Sequence, residues 1–527
     1  MRKYQIISII VLMAFFAIGF LIADGKSIMQ NLDELHTYYY HDYPDYYEVM
    51  DWLSDFADEN SDICIAESLG FSTRDSLPIW ALKISDNPAV DEDEITVMVN
   101  GSIHAEEIVG TNVCQFLAET LAAAYGIEDE PTRFVDNYEI WIVPIVNPEG
   151  YQVVMEGLDY TFRKNKRDNN EDGVFNYVFY HANDTDGVDL NRNFPYNWDG
   201  PDAVDEMHSS FYRGPSPASE QETQAMIRLC ERENFTFSIW YHSSASGMFN
   251  EKVIYPYKYQ DTIICPDQDR NAYIAMRYAS TLRKREHGVY IHQIGQRMHG
   301  NSTDWEYYRN ATLAFMTEIG TETQPPWEIV EWQKRNHYNG LEYLFQRTLD
   351  DEILRAHVYD STTGEPIRAR IEIEGRYREG YTDPRYTDSL HGAHYRLIMA
   401  GDYNLWISAE GYHDKYIDIS IERGVPFDID IALSRDESIE ENPIDKPQKL
   451  TMMKILPNPF NSACELEFNR MIPNATINIY AIDGKIIDEI QFRNAKTAKW
   501  IPDADLPSGI YLIGIDGEIL SRAIFIK

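Results

Sequence analysis

ITVMVNGSIHAEEIVGTNVCQFLAETLAAAYG, Ile95 to Gly126, holds three textures in one run. Ile95 to Asn100 is short and nearly all apolar, as expected of a strand buried on both faces. Asn112 to Gly126 spaces its apolar residues at helical intervals, and Gly101 to Gly110 joins the two. A second buried-strand pattern, EIWIVPIVN (Glu139 to Asn147), follows. Strand, helix and strand in succession predict an α/β domain with helices covering a central sheet.

That texture runs from about residue 36 to 350 and then changes to alternation: Ala369, Ile371, Ile373; Leu405, Ile407; Ile417, Ile419, Ile421; Phe427, Ile429, Ile431. With turn residues between the runs, 351–434 is expected to form a small antiparallel β-sandwich. The charged, aperiodic residues 435–448 read as a linker, and 449–527 as a second strand-rich unit. A chain of 527 residues exceeds what one hydrophobic core usually organises, in keeping with several domains.

The balance of 86 acidic against 46 basic residues leaves a net charge of −40, which repels phosphate backbones, so no nucleic acid partner is expected. Arg2-Lys3 followed by the apolar run Ile6 to Ile22 has the layout of an export signal, 1–23. An uncleaved anchor is the alternative; after cleavage no stable membrane span is expected. The roughly dozen residues that follow predict no long pro-domain. Five cysteines without CxxC spacing form neither a zinc knuckle nor a redox pair and allow at most one or two disulfides.

Within GSIHAEEIVG, His104 and Glu107 stand three residues apart, so one turn of chain can offer a metal an imidazole nitrogen and a carboxylate oxygen. Alone the pair says little, because 14 histidines in an acidic chain give about one such spacing by chance. Further motifs follow: PIVNPEGY (Pro144 to Tyr151), FRKNKR (Phe162 to Arg167), GVDLNRNFPYNW (Gly187 to Trp198), SIWYHSSASG (Ser238 to Gly247) and LAFMTEIG (Leu313 to Gly320).

In this order the motifs resemble the zinc metallocarboxypeptidases of the pancreatic carboxypeptidase A type. The resemblance covers 36 to about 345 and implies a carboxypeptidase-like α/β fold, a central mixed β-sheet flanked by helices. It implies one Zn2+ on His104, Glu107 and His242, with Glu318 as catalytic base and Arg163 stabilising the oxyanion. Asn191 and Arg192 match residues that hold the substrate's terminal carboxylate. The chemistry asks for these types: two imidazoles and a carboxylate leave zinc an open position, and a guanidinium pairs bidentately with a carboxylate.

Some positions depart from the family. Counting nine back from Trp305 in GNSTDW, where the family has a mobile tyrosine, gives Gln296; Tyr290 lies six residues earlier. Glu106 replaces an Arg or Asn inside the zinc motif. Thr303 and Lys258 stand at the positions that shape the side-chain pocket, implying a permissive pocket and a leaning toward an acidic C-terminal residue. DNNEDG (Asp168 to Gly173) starts like a calcium loop but has Phe179 at position twelve, which excludes an EF-hand and leaves an irregular Ca2+ site or an ordinary acidic loop open.

YDSTTGEPIRARIEIEG and AGDYNLWISAEGY resemble a transthyretin-like, carboxypeptidase-regulatory-like sandwich. ILPNPFNSACELEF, IYAIDGKII and LPSGIYLI resemble the C-terminal sorting domain of type IX secretion substrates. The expectation is a bacterial carboxypeptidase, secreted or cell-surface, whose partners are peptide or protein substrates and the type IX machinery. A zinc amidase on cell-wall or γ-glutamyl peptides, or an inactive surface binding module, stays open at this point.

Overall fold

The computed structural model describes residues 43–179, 184–244, 247–259, 263–296 and 299–436, and most of 453–527. The expected export signal, and the expected linker beyond Asp436, lie outside the described residues. The chain divides into two compact units, one ending at Asp436 and one beginning at Glu437.

Helix α1 (Tyr46–Glu59) opens on a capping box between Asp45 and Glu48. The antiparallel pair β1 (Cys64–Phe71) and β2 (Pro78–Ile84) forms one sheet margin. The opening run then folds as β3 (Ile95–Asn100), a loop and α2 (Val109–Ala124). After α3 (Asp129–Val135), β4 (Tyr138–Val143) is shorter than the expected Glu139–Asn147 strand. Pro144 has no N–H for the ladder, so pairing stops before it. Asn147 instead caps α4 (Pro148–Met155), accepting from the Gly150 N–H at 3.0 Å.

The remaining elements of this region are α5 (Gln221–Glu233), β5 (Phe237–His242), β6 (Lys252–Tyr259), β7 (Ile263–Ile264), α6 (Gln268–Thr281), β8 (Ile291–Gln296), α7 (Ser302–Asn310), β9 (Leu313–Glu318) and α8 (Trp327–Asp350). They complete a nine-stranded mixed sheet ordered β1-β2-β4-β3-β5-β9-β6-β7, with β8 beside β6. The central strands β4, β3, β5 and β9 run parallel, and every residue of β4, β5 and β9 is buried. Alternation along β5 explains this: Ile239 and Tyr241 join the cluster shared with α2, α6 and α8, while Trp240 points to the opposite cluster, shared with α5 and Trp305 of α7.

Residues 353–433 form two three-stranded sheets: β10 (Ile353–Asp360), β12 (Ala393–Leu397) and β15 (Phe427–Leu433) in one, β11 (Arg370–Ile373), β13 (Gly401–Ser408) and β14 (Lys415–Ile421) in the other. Ile371, Ile373, Leu405, Ile407, Ile419, Ile421 and Ile431 fill the space between them. The expectation of a wholly antiparallel sandwich needs correcting at one pair, since β15 runs parallel to β10. The chain leaves the β14 sheet before β15 and so enters the other sheet along β10 rather than against it.

These sheets join the preceding region through buried charge. Arg396 donates to Asp267 Oδ2 at 2.6 Å, Arg270 to the Leu397 carbonyl at 3.0 Å, and Arg385 to the Tyr307 and Tyr308 carbonyls at 2.8 and 2.7 Å.

The second unit consists of a three-stranded and a four-stranded sheet. Phe460, Leu466, Phe468, Ile477, Ile479, Trp500, Tyr511 and Ile513 form its core, which accounts for the aromatic residue in the NPF triplet. All five cysteines are free and buried, so neither disulfide that the sequence left open forms. Among the described residues no helix is long and apolar enough to cross a membrane.

Candidate metal centre

The site lies beyond the carboxyl ends of the parallel strands, where an open α/β sheet has room for ligands. Past β3 the chain folds back so tightly that a Cβ on Gly101 would stand 2.6 Å from the Gly110 carbonyl carbon; only glycine permits that approach. The turn aims His104 and Glu107 inward, with Nδ1 of His104 3.0 Å from Oε1 of Glu107. His242 ends β5 and brings its Nδ1 within 3.0 Å of His104 Nδ1 and 2.9 Å of Glu107 Oε2. All three side chains are buried.

Two groups of three possible ligands occur among the described residues: His104, Glu107 and His242, and Asp86, Glu92 and Glu94. Only the first contains imidazoles, the donors that suit zinc. Its 2.9–3.0 Å spacings approach the ~3.3 Å edge of a tetrahedron with zinc–nitrogen bonds of ~2.05 Å. The donor set therefore fits zinc.

Neighbouring groups orient these ligands. His104 Nε2 lies 3.2 Å from Asp189 Oδ1, and the Ser243 N–H donates to Glu107 Oε2 at 3.0 Å. Asp189 is a site residue the motif reading passed over; its signal was in GVDLNRNF, two positions before Asn191. Its other oxygen accepts from Arg163 Nε at 3.1 Å, while Arg163 Nη1 reaches Glu107 Oε1 at 3.3 Å. Burial works against the Arg163 charge, but Asp189, Glu106 and Glu107 outweigh it and hold the guanidinium protonated.

Glu318 ends β9 as the register partner of His242, so parallel pairing sets the two side by side on one sheet face. The Glu318 side chain is buried, and its Oε2 has no hydrogen-bond partner. Burial, followed by the negative charge of Glu107, pushes this carboxyl well above the usual range. Asn191 is fixed by the Ser302 N–H, which donates to its Oδ1 at 2.9 Å, leaving the amide nitrogen 3.3 Å from His242 Nε2. Arg192 donates to the Asn191 carbonyl at 2.7 Å.

The other predicted positions are spread more widely. Gln296 ends β8 with an exposed side chain, opposite half-buried Lys258 in the β6–β8 register. Thr303 is buried in the first turn of α7, where its hydroxyl donates to Asn301 Oδ1 at 2.8 Å. Tyr290 is fixed in the core: its hydroxyl accepts from the Gly320 N–H at 3.0 Å and lies 3.2 Å from His337 Nε2, so it cannot serve as a mobile cap. In the acidic loop, Asp168 accepts from the Gly173 N–H at 2.8 Å and Asp172 from the Val174 N–H at 2.7 Å. Those carboxylates close their own turns and join no three-ligand group among the described residues, so the geometry lends calcium no support there.

Residues 49–338, more than half of the chain, match the zinc carboxypeptidase family. The chain belongs to that family. Among curated relatives, mast cell carboxypeptidase A of Rattus norvegicus is 27% identical over 287 residues, covering 53% of this chain and 64% of its own length. Metallocarboxypeptidase A of Trichophyton tonsurans is 30% identical over 191 residues, 36% of this chain and 41% of its own length. The chain thus spans less than two thirds of the length of either relative. The crystal structure of carboxypeptidase A from Helicoverpa armigera aligns with a TM-score of 0.50 at 19% identity, over 58% of this chain and 73% of that one, and shares the carboxypeptidase-like α/β fold. Residues 454–526 match a secretion system C-terminal sorting domain, which marks the chain as secreted or cell-surface.

Proposed function

We propose that the chain is a zinc-dependent metallocarboxypeptidase that removes single amino acids from the C-termini of peptides outside the cell. The observation that carries this reading is the meeting of the buried His104–Glu107–His242 set with the unpartnered Glu318 carboxylate on one face of the sheet. These three residues would hold zinc, which would supply Lewis acidity and lower the pKa of a bound water to about 7. Glu318 takes the proton of the attacking water and delivers it to the leaving amine, a role that suits a carboxyl raised by burial. Arg163, fixed by Asp189, stabilises negative charge developing on the scissile carbonyl oxygen. Arg192, with Asn191, receives the substrate's free carboxylate.

In this layout 36–350 is catalytic, 351–434 is a regulatory-like sandwich that supports it, 435–448 is a linker and 449–527 addresses the chain to the type IX machinery. Thr303, Lys258 and Gln296 would bear on the substrate side chain, with Lys258 favouring acidic C-terminal residues.

The test is release of free amino acids from peptides ending in Glu, Leu or Lys. A zinc chelator is expected to abolish release and added zinc to restore it; release that persists without metal overturns the reading, and fastest release of Lys overturns the role of Lys258. Arg192→Met is expected to cost ~10- to 150-fold in kcat/KM, the loss of about 1.5–3 kcal/mol from a charge-assisted hydrogen bond. Unchanged preference of that variant for a free C-terminus over its amide would remove Arg192 from carboxylate recognition.

A further inference from the structure

Gln296 stands exposed where the resembled family carries a mobile tyrosine, and Tyr290 is locked in the core. A different aromatic residue stands over the site. The guanidinium carbons of Arg163 and Arg192 lie 5.1 and 5.6 Å from the centre of the Phe211 ring, which is 45% exposed. Both distances fall within cation–π range.

The segment that carries Phe211 is tied to the neighbours of these same arginines. Lys164, next to Arg163 and fully buried, donates through Nζ to the Met207 carbonyl at 2.8 Å. The Asp189 N–H donates to the Tyr212 carbonyl at 2.8 Å, and Asn193, next to Arg192, donates to the Arg213 carbonyl at 2.9 Å. The Phe211 N–H itself donates to Ser209 Oγ at 3.1 Å. The backbone that carries the ring is therefore held in place before any ligand arrives, which lowers the entropy lost on binding.

We propose that Phe211 is a substrate-binding residue that roofs Arg163 and Arg192, excluding water from the peptide's terminal carboxylate and packing on its last residue. The inference rests on the reading of Arg192 as carboxylate receptor and adds the residue that strengthens it. With one face of the guanidinium pair covered by carbon, a carboxylate meets Arg192 in a medium less polarisable than water, and their attraction grows. The exposed remainder of the ring offers apolar contact to the C-terminal side chain.

The experiment is titration of the zinc-loaded full chain, carrying Glu318→Gln to prevent turnover, with acetyl-Gly-Leu and with its C-terminal amide. Phe211→Ala is expected to raise the Kd of the acid ~3- to 30-fold, the span of a cation–π contact, and to leave the weaker amide nearly unmoved. Phe211→Tyr, which keeps the ring, should restore binding to within about twofold. If Glu318→Gln protein prefers the acid but Phe211→Ala leaves its Kd unchanged, the roof is refuted and the carboxylate receptor stands. If the protein shows no preference for the acid, the receptor reading falls and the roof with it. Equal weakening of acid and amide would assign Phe211 to general packing and also overturn the proposal.

Discussion

Glu318→Gln is expected to lower kcat by about 10²- to 10⁴-fold, the usual contribution of a positioned general base, with zinc content unchanged. Glutamine has nearly the same shape but cannot take a proton, so the loss would fall on turnover rather than on metal or substrate binding. The Glu318 position makes this a clean test. Its side chain is buried beside the metal set, Oε2 makes no hydrogen bond, and none of the three proposed ligands is altered. Turnover within threefold of the parent, measured on zinc-replete protein, would show that another group moves the proton.

The second large effect concerns the seam between the α/β region and the strands that follow it. Asp267 is 5% exposed as a side chain and faces Arg270, Arg396 and Arg376, of which Arg270 and Arg396 are each 2% exposed. Asp267→Ala would leave the buried Arg270 and Arg396 without their carboxylate, while Arg376 keeps Asp269, at a cost of about 3–5 kcal/mol. Burial alone would raise the Asp267 pKa, but Arg270, Arg396 and Arg376 outweigh it and hold the carboxyl well below the usual range. A carboxyl depressed in the folded state contributes stability above its unfolded pKa, about 3.9, and that contribution fades as pH falls toward the folded value. The parent should therefore lose stability below about pH 4 more steeply than Asp267→Asn, read as denaturant midpoints between pH 3 and 7. Parallel acid limbs for the two proteins would remove Asp267 from the account.

The elements most legible in the sequence were those written in local periodicity. Ile95 to Asn100 and the helix after it needed only their own apolar spacing, because a two-faced strand and a packed helix leave different patterns. The end of β4 was missed, because the apolar run continues past Pro144, the residue that stops the pairing. His104 and Glu107 were ambiguous for a physical reason: the group that gives them meaning, His242, is 138 residues away and reaches them through β-strand pairing, which no short window contains. Order of motifs, rather than any one motif, carried that information. Asp189 escaped because an acidic residue among asparagines looks like a loop until its hydrogen bonds to His104 and Arg163 are seen. Phe211 left no signal, since its segment has no periodicity and its contacts are made through backbone carbonyls. The parallel β10–β15 pair was likewise invisible, because alternation reports which face a residue occupies and not which way a strand runs.

Because His242 and Glu318 close neighbouring strands in register, the proposed ligand and the proposed base share one backbone ladder. Two kinds of length change then have very different outcomes. An insertion in the connection between β5 and β6, beyond Ser243, leaves that ladder as it is, so this stretch is where natural variants could differ in size and where a foreign loop could be grafted. Deleting one residue inside β9 would turn the Glu318 carboxylate through the sheet to the face of Tyr241, away from the metal donors. The base is thus addressed by counting along a strand, and the least forgiving lesion in this region is a frame error of one position rather than any single side-chain exchange.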